Sequence, residues 1–176
     1  TRATIVEPLD LDPAAWKRAA AETLDHLTRC IRINTVNPPG NELTLAQMLA
    51  GILDAAGIQR TLLEPAPGRA ALVARLPGNG TKAPLLLLAH MDVVGVDPDE
   101  WSCDPFDGVV RGDYLYGRGA IDDKGMLAVN LQAMLLLKRH VLDAGGTLTR
   151  DVVFTATSDE EAGGTWGIDW LVSNHP

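Results

Sequence analysis

Pro84-Leu85-Leu86-Leu87-Leu88-Ala89-His90-Met91-Asp92 is the stretch on which the reading of the fold turns. Its leucines do not alternate with polar residues, the pattern of a strand covered on both faces, so 84–89 is expected to be a fully buried strand with His90 at its end. On its N-terminal side, Ala70 to Leu76 reads as a second strand, joined to it through the turn residues Pro77-Gly78-Asn79-Gly80. Two helices are expected before the sheet. Asp12-Pro13 can start the first, because the carboxylate accepts from orphan N–H groups and proline is tolerated in a first turn. Trp16, Ala20, Leu24, Leu27 and Ile31 then mark its buried face by their helical spacing. After Asn37-Pro38-Pro39-Gly40, which forces a loop, Leu45, Met48, Leu49, Ile52 and Leu53 outline the second helix, and Gly57 can cap it. C-terminal to His90 the pattern gives a hairpin of 109–110 with 114–116 across Gly112-Asp113. A helix from Gly125 to Leu142, a strand from Asp151 to Thr157 and a short helix from Trp166 to Val172 follow. This alternation points to an α/β fold, a mixed and mostly parallel sheet flanked by helices, with residues 1–176 forming one unit.

Composition narrows the function classes. The 176 residues are 46% hydrophobic, enough for one core. A formal charge of -8 argues against nucleic acid as a partner, because phosphate neutralisation needs clustered Lys and Arg. No apolar run approaches the roughly 20 residues that cross a bilayer, so no membrane partner is expected. Cys30 and Cys103 sit in no CxxC pair and read as free thiols. The chain opens on Thr1 without a basic-then-apolar leader, which suggests trimming and leaves cytoplasm and periplasm both open.

Open α/β sheets place ligands beyond the carboxyl ends of their strands. Three chemically loaded segments fall there or in the intervening loop. In the first, His90 and Asp92 are two apart and share a face if the strand continues, so the carboxylate could hold the imidazole through its second nitrogen. A metal ligand with its orienting acid and a satisfied structural histidine both fit that pair. The second, Gly117-Arg118-Gly119-Ala120-Ile121-Asp122-Asp123-Lys124-Gly125, can bend tightly and present a carboxylate to an ion. A phosphate loop fits it poorly, since Lys124 is followed by Gly125 and the adjacent acids repel phosphate. In the third, Asp159-Glu160-Glu161 leaves a strand as three consecutive acids, which repel one another unless solvent or a cation relieves them. An exposed acidic turn and a metal site with a base beside a ligand both suit it.

In this order the segments resemble the M20 family of peptidases and deacylases, which includes aminoacylases, acetylornithine deacetylase, succinyl-diaminopimelate desuccinylase, carboxypeptidases and dipeptidases. Its first signature is similar to Leu85–Asp92 followed by Trp101, Pro105 and Phe106, its second to Tyr114–Gly125, and its third to Asp159–Gly164. The resemblance runs from about Ile33 onward. It implies a zinc-peptidase-like fold of which residues 1–176 are the N-terminal part, the rest of the catalytic domain and an inserted dimerisation domain lying elsewhere. Two Zn2+ ions, or Co2+ or Mn2+, are implied as cofactors: His90 holds one, Asp122 bridges both and Glu161 holds the other, with a further carboxylate and a second histidine from later segments. Asp92 orients His90, Glu160 is the general base, and the peptide between Asp122 and Asp123 is often cis in such proteins. Lys124 and Arg118 balance charge or shape the loop, while His26, His140 and His175 match no ligand and read as structural or surface residues. The implied activity is hydrolysis of an amide in a small N-acyl amino acid or short peptide with a free carboxylate, by a homodimer when complete. The Asp122-Asp123 pair leans toward carboxypeptidases and dipeptidases. A non-catalytic metal-binding or regulatory member of the same fold is the alternative, and a nucleotide-binding domain the third reading.

Overall fold

The computed structural model describes residues 10–175. Two helices come first, α1 (Pro13–Arg32) and α2 (Glu42–Ala55). Strands β1 (Arg60–Leu63), β2 (Ala71–Leu76) and β3 (Leu85–His90), a hairpin of β4 (Val109–Arg111) and β5 (Tyr114–Tyr116), helix α3 (Lys124–Leu137), strand β6 (Val152–Thr157) and helix α4 (Ile168–Asn174) follow. The main sheet runs β1-β2-β6-β3. Its β3–β6 pairing is parallel, with His90 opposite Thr157, whereas β1–β2 and β2–β6 are antiparallel. The α/β class and the mixed sheet flanked by helices are therefore as read from the sequence, but the expectation of a mostly parallel sheet is corrected: among the described residues only the β3–β6 pairing is parallel, because β1, β2 and β6 neighbour one another in antiparallel register. Strand β1 had no counterpart in that reading, because Arg60 and Thr61 are exposed and give no apolar signal.

One sheet face carries Leu72, Ala74 and Leu76 of β2, Val152, Phe154 and Ala156 of β6, and Ala89 of β3. Against it pack Leu45, Leu49 and Leu53 of α2 and Leu127, Leu131 and Met134 of α3, closing a single core. The period-2 strand pattern meeting the 3.6-period helix stripe is what aligns these layers.

Two sequence expectations are corrected here. Strand β3 is not fully buried: it is the sheet edge, and Leu86 and Leu88, on the face opposite the core, are 53% and 42% exposed. An uninterrupted leucine run specifies two apolar faces, but among the described residues only one of them is covered. The buried stripe of α1 is also shifted from the expected one. Ala15, Ala19, His26, Cys30 and Ile31 face inward, while Trp16 and Leu24 are exposed. Small alanines on that stripe let α1 approach α3 closely, and Trp16 flanks the contact beside Val129 and Leu136. Helix α1 does start as its sequence requires, with Asp12 Oδ1 accepting from Ala15 N at 2.7 Å. The apolar run after Gly125 ends its α-helix at Leu137 and widens into a π turn over Lys138–Leu142. Both cysteines are free thiols, and no helix among the described residues is long and apolar enough to cross a membrane.

Candidate metal centre

Parallel pairing places the ends of β3 and β6 side by side, so the residues that follow each strand meet. His90 closes β3, and Met91 N donates to Thr157 O at 2.8 Å to carry the pairing one step further. Beyond Thr157 the chain turns at Asp159, whose φ of 67° makes it the one non-glycine residue with positive φ among those described. Asp and Asn tolerate this left-handed conformation better than most residues. The turn delivers Glu160 and Glu161 next to His90. The donor atoms of these three side chains come within 4.8 Å of one another. From the second segment, Asp122 Oδ1 lies 3.0 Å from His90 Nε2, and from the third Glu160 Oε2 lies 3.8 Å from the same nitrogen.

The other His90 nitrogen, Nδ1, lies 3.0 Å from the Asp92 carbonyl oxygen and 3.4 Å from the Asp92 carboxylate. Asp92 is thus beside the imidazole, but its carboxylate has a second task. Wholly buried, it accepts from Glu160 N at 3.1 Å, Glu161 N at 3.0 Å and Asn37 Nδ2 at 2.8 Å. One carboxylate therefore pins the backbone of both glutamates. Burial pushes the Asp92 carboxyl upward, and the hydrogen bonds from His90, Asn37 and the two backbone N–H groups outweigh it, holding it below the usual carboxylate range.

Asp123 accepts from His90 N at 3.2 Å, and the Asp122–Asp123 peptide is cis. For Asp123 and Glu161, burial raises the pKa first, and the surrounding acids, Asp122 and Glu160 among them, add to it. Burial would lower the His90 pKa, but hydrogen bonds to Asp92 and Asp122 and the field of Asp92 and Asp123 bring it up to about 9. A crowd of acids with a single histidine among them is a place where positive charge is stabilised.

Lys124 is fully buried and donates to Ile33 O at 2.8 Å, while Arg118 lies over Trp101 at 5.6 Å, so both brace the loop. Gly119 permits the bend, since a Cβ there would meet Val93 at 2.8 Å and its φ is +84°. His26 is buried away from the acids, and His140 and His175 are exposed. A cavity of about 200 Å³ adjoins the cluster, bounded by Leu88, His90, Asp123, Glu160 and Ile168. A larger one of about 640 Å³, between α1, α2 and α3, holds none of the converging residues.

The five residues singled out from the sequence, His90, Asp92, Asp122, Glu160 and Glu161, come together. Sequence reasoning gave no role to three buried polar side chains behind them, Asn37, Arg69 and Asp159, the last named only as one of three consecutive acids. Asn37 lies in a run read only as a loop, Arg69 carries no local motif, and their hydrogen-bond partners are 30 to 122 residues away.

A histidine and a set of acids gathered at the carboxyl ends of parallel strands occupy the ligand-binding position of an α/β fold, the class to which this architecture belongs. Within that class the chain belongs to peptidase family M20/M25/M40, which residues 86–175, just over half of the chain, match. It is 35% identical to aminoacylase-1 of Sus scrofa over 144 residues, 81% of this chain and 34% of that protein. Over 91 residues it is 41% identical to succinyl-diaminopimelate desuccinylase of Blochmanniella pennsylvanica, 51% of this chain and 23% of that one. Among solved structures, an M20 family metallo-carboxypeptidase from Sulfolobus solfataricus superposes with a TM-score of 0.72 at 29% identity, covering 87% of this chain and 34% of the other. Human carnosine dipeptidase 1, at 24% identity and a TM-score of 0.71 over 90% of this chain and 36% of its own, shares the fold. The chain spans about a third of the length of aminoacylase-1 and of these two structures.

Proposed function

We propose that this chain is the N-terminal part of the catalytic domain of a zinc-dependent amidohydrolase, acting on an N-acyl amino acid or short peptide with a free carboxylate. The convergence of His90, Asp122, Glu160 and Glu161, with Asp92 pinning the two glutamates, carries the reading. An imidazole nitrogen grouped with carboxylate oxygens is a donor set that suits Zn2+ and also accepts Co2+ or Mn2+. His90, Asp122 and Glu161 would hold the metal, in a two-metal site completed by ligands from the rest of the protein. Bound there, the metal supplies Lewis acidity, lowering the pKa of a water and polarising a carbonyl.

The chain's own residues do the rest. Glu160, within reach of the same space as His90 Nε2, takes a proton from water and returns it to the leaving nitrogen. Asp92 fixes the imidazole on one side and the Glu160–Glu161 backbone on the other, so ligand and base keep their separation. The adjoining cavity presents an apolar wall of Leu88, Ala89 and Ile168 beside the reacting groups. The open edge of β3 and the exposed Leu86 and Leu88 support placing the remainder of the domain against that strand and face. The complete protein is proposed to be a homodimer.

Glu160→Gln in the full-length protein tests the central role. Zinc content should stay at the wild-type level and turnover of N-acyl amino acids and dipeptides should fall at least 100-fold, the scale of a lost general base. Loss of zinc along with turnover would instead make Glu160 a ligand, and unchanged turnover would remove it from the chemistry. A wild-type protein that binds zinc and hydrolyses none of these substrates would favour a non-catalytic metal-binding member.

A further inference from the structure

The Asn37-Pro38-Pro39-Gly40 loop and Arg69 are far from each other in sequence and carry no part of the proposed chemistry, yet the fold joins them behind the site. Arg69 is buried, with its guanidinium lodged in the loop: Nη1 donates to Asn37 Oδ1 at 3.1 Å and to Pro39 O at 2.7 Å. The loop is shaped for this guest. A Cβ on Gly40 would stand 1.8 Å from Arg69 Nη1, and the glycine's φ is +81°. On its other prong Nη2 donates to Asp159 Oδ1, while the buried Glu42 carboxylate lies 3.4 Å from Nη1.

Asp159 passes the constraint on. Its Oδ1 also accepts from Asn37 Nδ2 at 3.1 Å and its Oδ2 from Trp166 N at 3.0 Å, closing the loop that carries Glu160 and Glu161. Asn37 Nδ2 in turn donates to Asp92 Oδ2 at 2.8 Å. The chain of contacts runs from Arg69 through Asp159 and Asn37 to Asp92, and from Asp92 to His90 and to both glutamate N–H groups. We propose that Arg69 is a positioning residue: through Asp159 and Asn37 it sets the separation between His90 and the Glu160–Glu161 pair. The inference rests on the metal-centre reading above.

Geometry favours arginine in this role over a generic buried charge. A buried ion pair is weak support for stability, because desolvation opposes the attraction. What an apolar side chain of similar size could not do is engage Asn37 and Asp159 at once through two prongs of one planar group. A lysine keeps the charge and loses the fork. An asparagine at 159 keeps the shape and loses the charged acceptor while Arg69 remains.

The test uses the full-length protein with zinc alone as ligand, then with substrate. Arg69→Lys and Asp159→Asn should each weaken zinc affinity 10- to 100-fold in competition with a chelator, the range for losing a residue that orients metal ligands. Both should lower kcat by a similar factor with little change in KM, and both should alter the visible absorption of the Co2+-loaded protein. The double variant should be no worse than the poorer single one, because both act along one chain of contacts. Wild-type zinc affinity and an unchanged Co2+ spectrum in both folded variants would overturn the proposal, as would strictly additive losses. Failure of both to fold at 25 °C would also overturn it, assigning Arg69 to the fold instead. Should wild-type protein bind no zinc, it is the metal-centre reading that fails, a distinguishable outcome.

Discussion

Asp92→Asn is the perturbation that weighs the site's architecture most directly, and it can be measured without any metal. The carboxylate is fully buried and accepts three hydrogen bonds, Glu160 N on Oδ1 and Glu161 N with Asn37 Nδ2 on Oδ2. An asparagine offers one oxygen. In its better orientation the oxygen replaces Oδ2 and keeps two donors, while its NH2 group faces Glu160 N and leaves that donor unpaired. Losing one hydrogen bond to a charged group costs about 1.5–3 kcal/mol, and neutralising the acceptor for the other two weakens each by roughly half. The sum is on the order of 3–5 kcal/mol, which for a domain of this size lowers the melting temperature by on the order of 10 °C. Linkage adds a second signature. Because the folded pKa of Asp92 is depressed, its stabilisation is present above the unfolded carboxylate pKa and is lost as pH falls through the folded value. The gap between wild type and variant should therefore be full at pH 7 and shrink steadily below about pH 4. Urea unfolding of both proteins in chelator across that range reads it out. A loss under about 1 kcal/mol at pH 7, or a gap that does not change with pH, would refute the reasoning.

Glu42 titrates in the opposite sense. Burial pushes its pKa up to about 7, against the opposing field of Arg69, so the folded state loses stability as pH rises from the unfolded carboxylate pKa through that value. Glu42→Gln should therefore be more stable than wild type at pH 8 by about 2–3 kcal/mol, with the advantage vanishing below about pH 4; urea unfolding at the two pH values checks the sign. Two glycines separate backbone freedom from packing. Gly51 lies exposed in α2 with open space around its missing Cβ, so Gly51→Ala should raise stability by about 0.5–1 kcal/mol. A Cβ on Gly167 would stand 1.8 Å from Ser158 O, so Gly167→Ala should cost about 2–4 kcal/mol, and a thermal melt of each variant gives the comparison.

Local chemistry was enough to write down the elements other than β1 and the groups that could react. A proline after an aspartate starts α1, the Gly112 turn closes the β4–β5 hairpin, and a leucine run ending in His90 is a strand whatever surrounds it. His90, Asp92, Asp122, Glu160 and Glu161 stand in short segments whose residue types admit the chemistry, and the resemblance of those segments, in their order, to the M20 family is what singled them out. Tertiary structure alone decided which stripe of α1 turns inward, because helical period leaves neighbouring faces nearly equivalent until α3 selects the one with small side chains. It also decided that β3 is an edge, since a strand's sequence encodes two apolar faces but not what covers them. Above all it decided that Arg69, Asn37 and Asp159 stand behind the site. Their joining is set by the parallel pairing of β3 with β6 and by the loop before α2, contacts spanning 32 to 122 residues that no local pattern records.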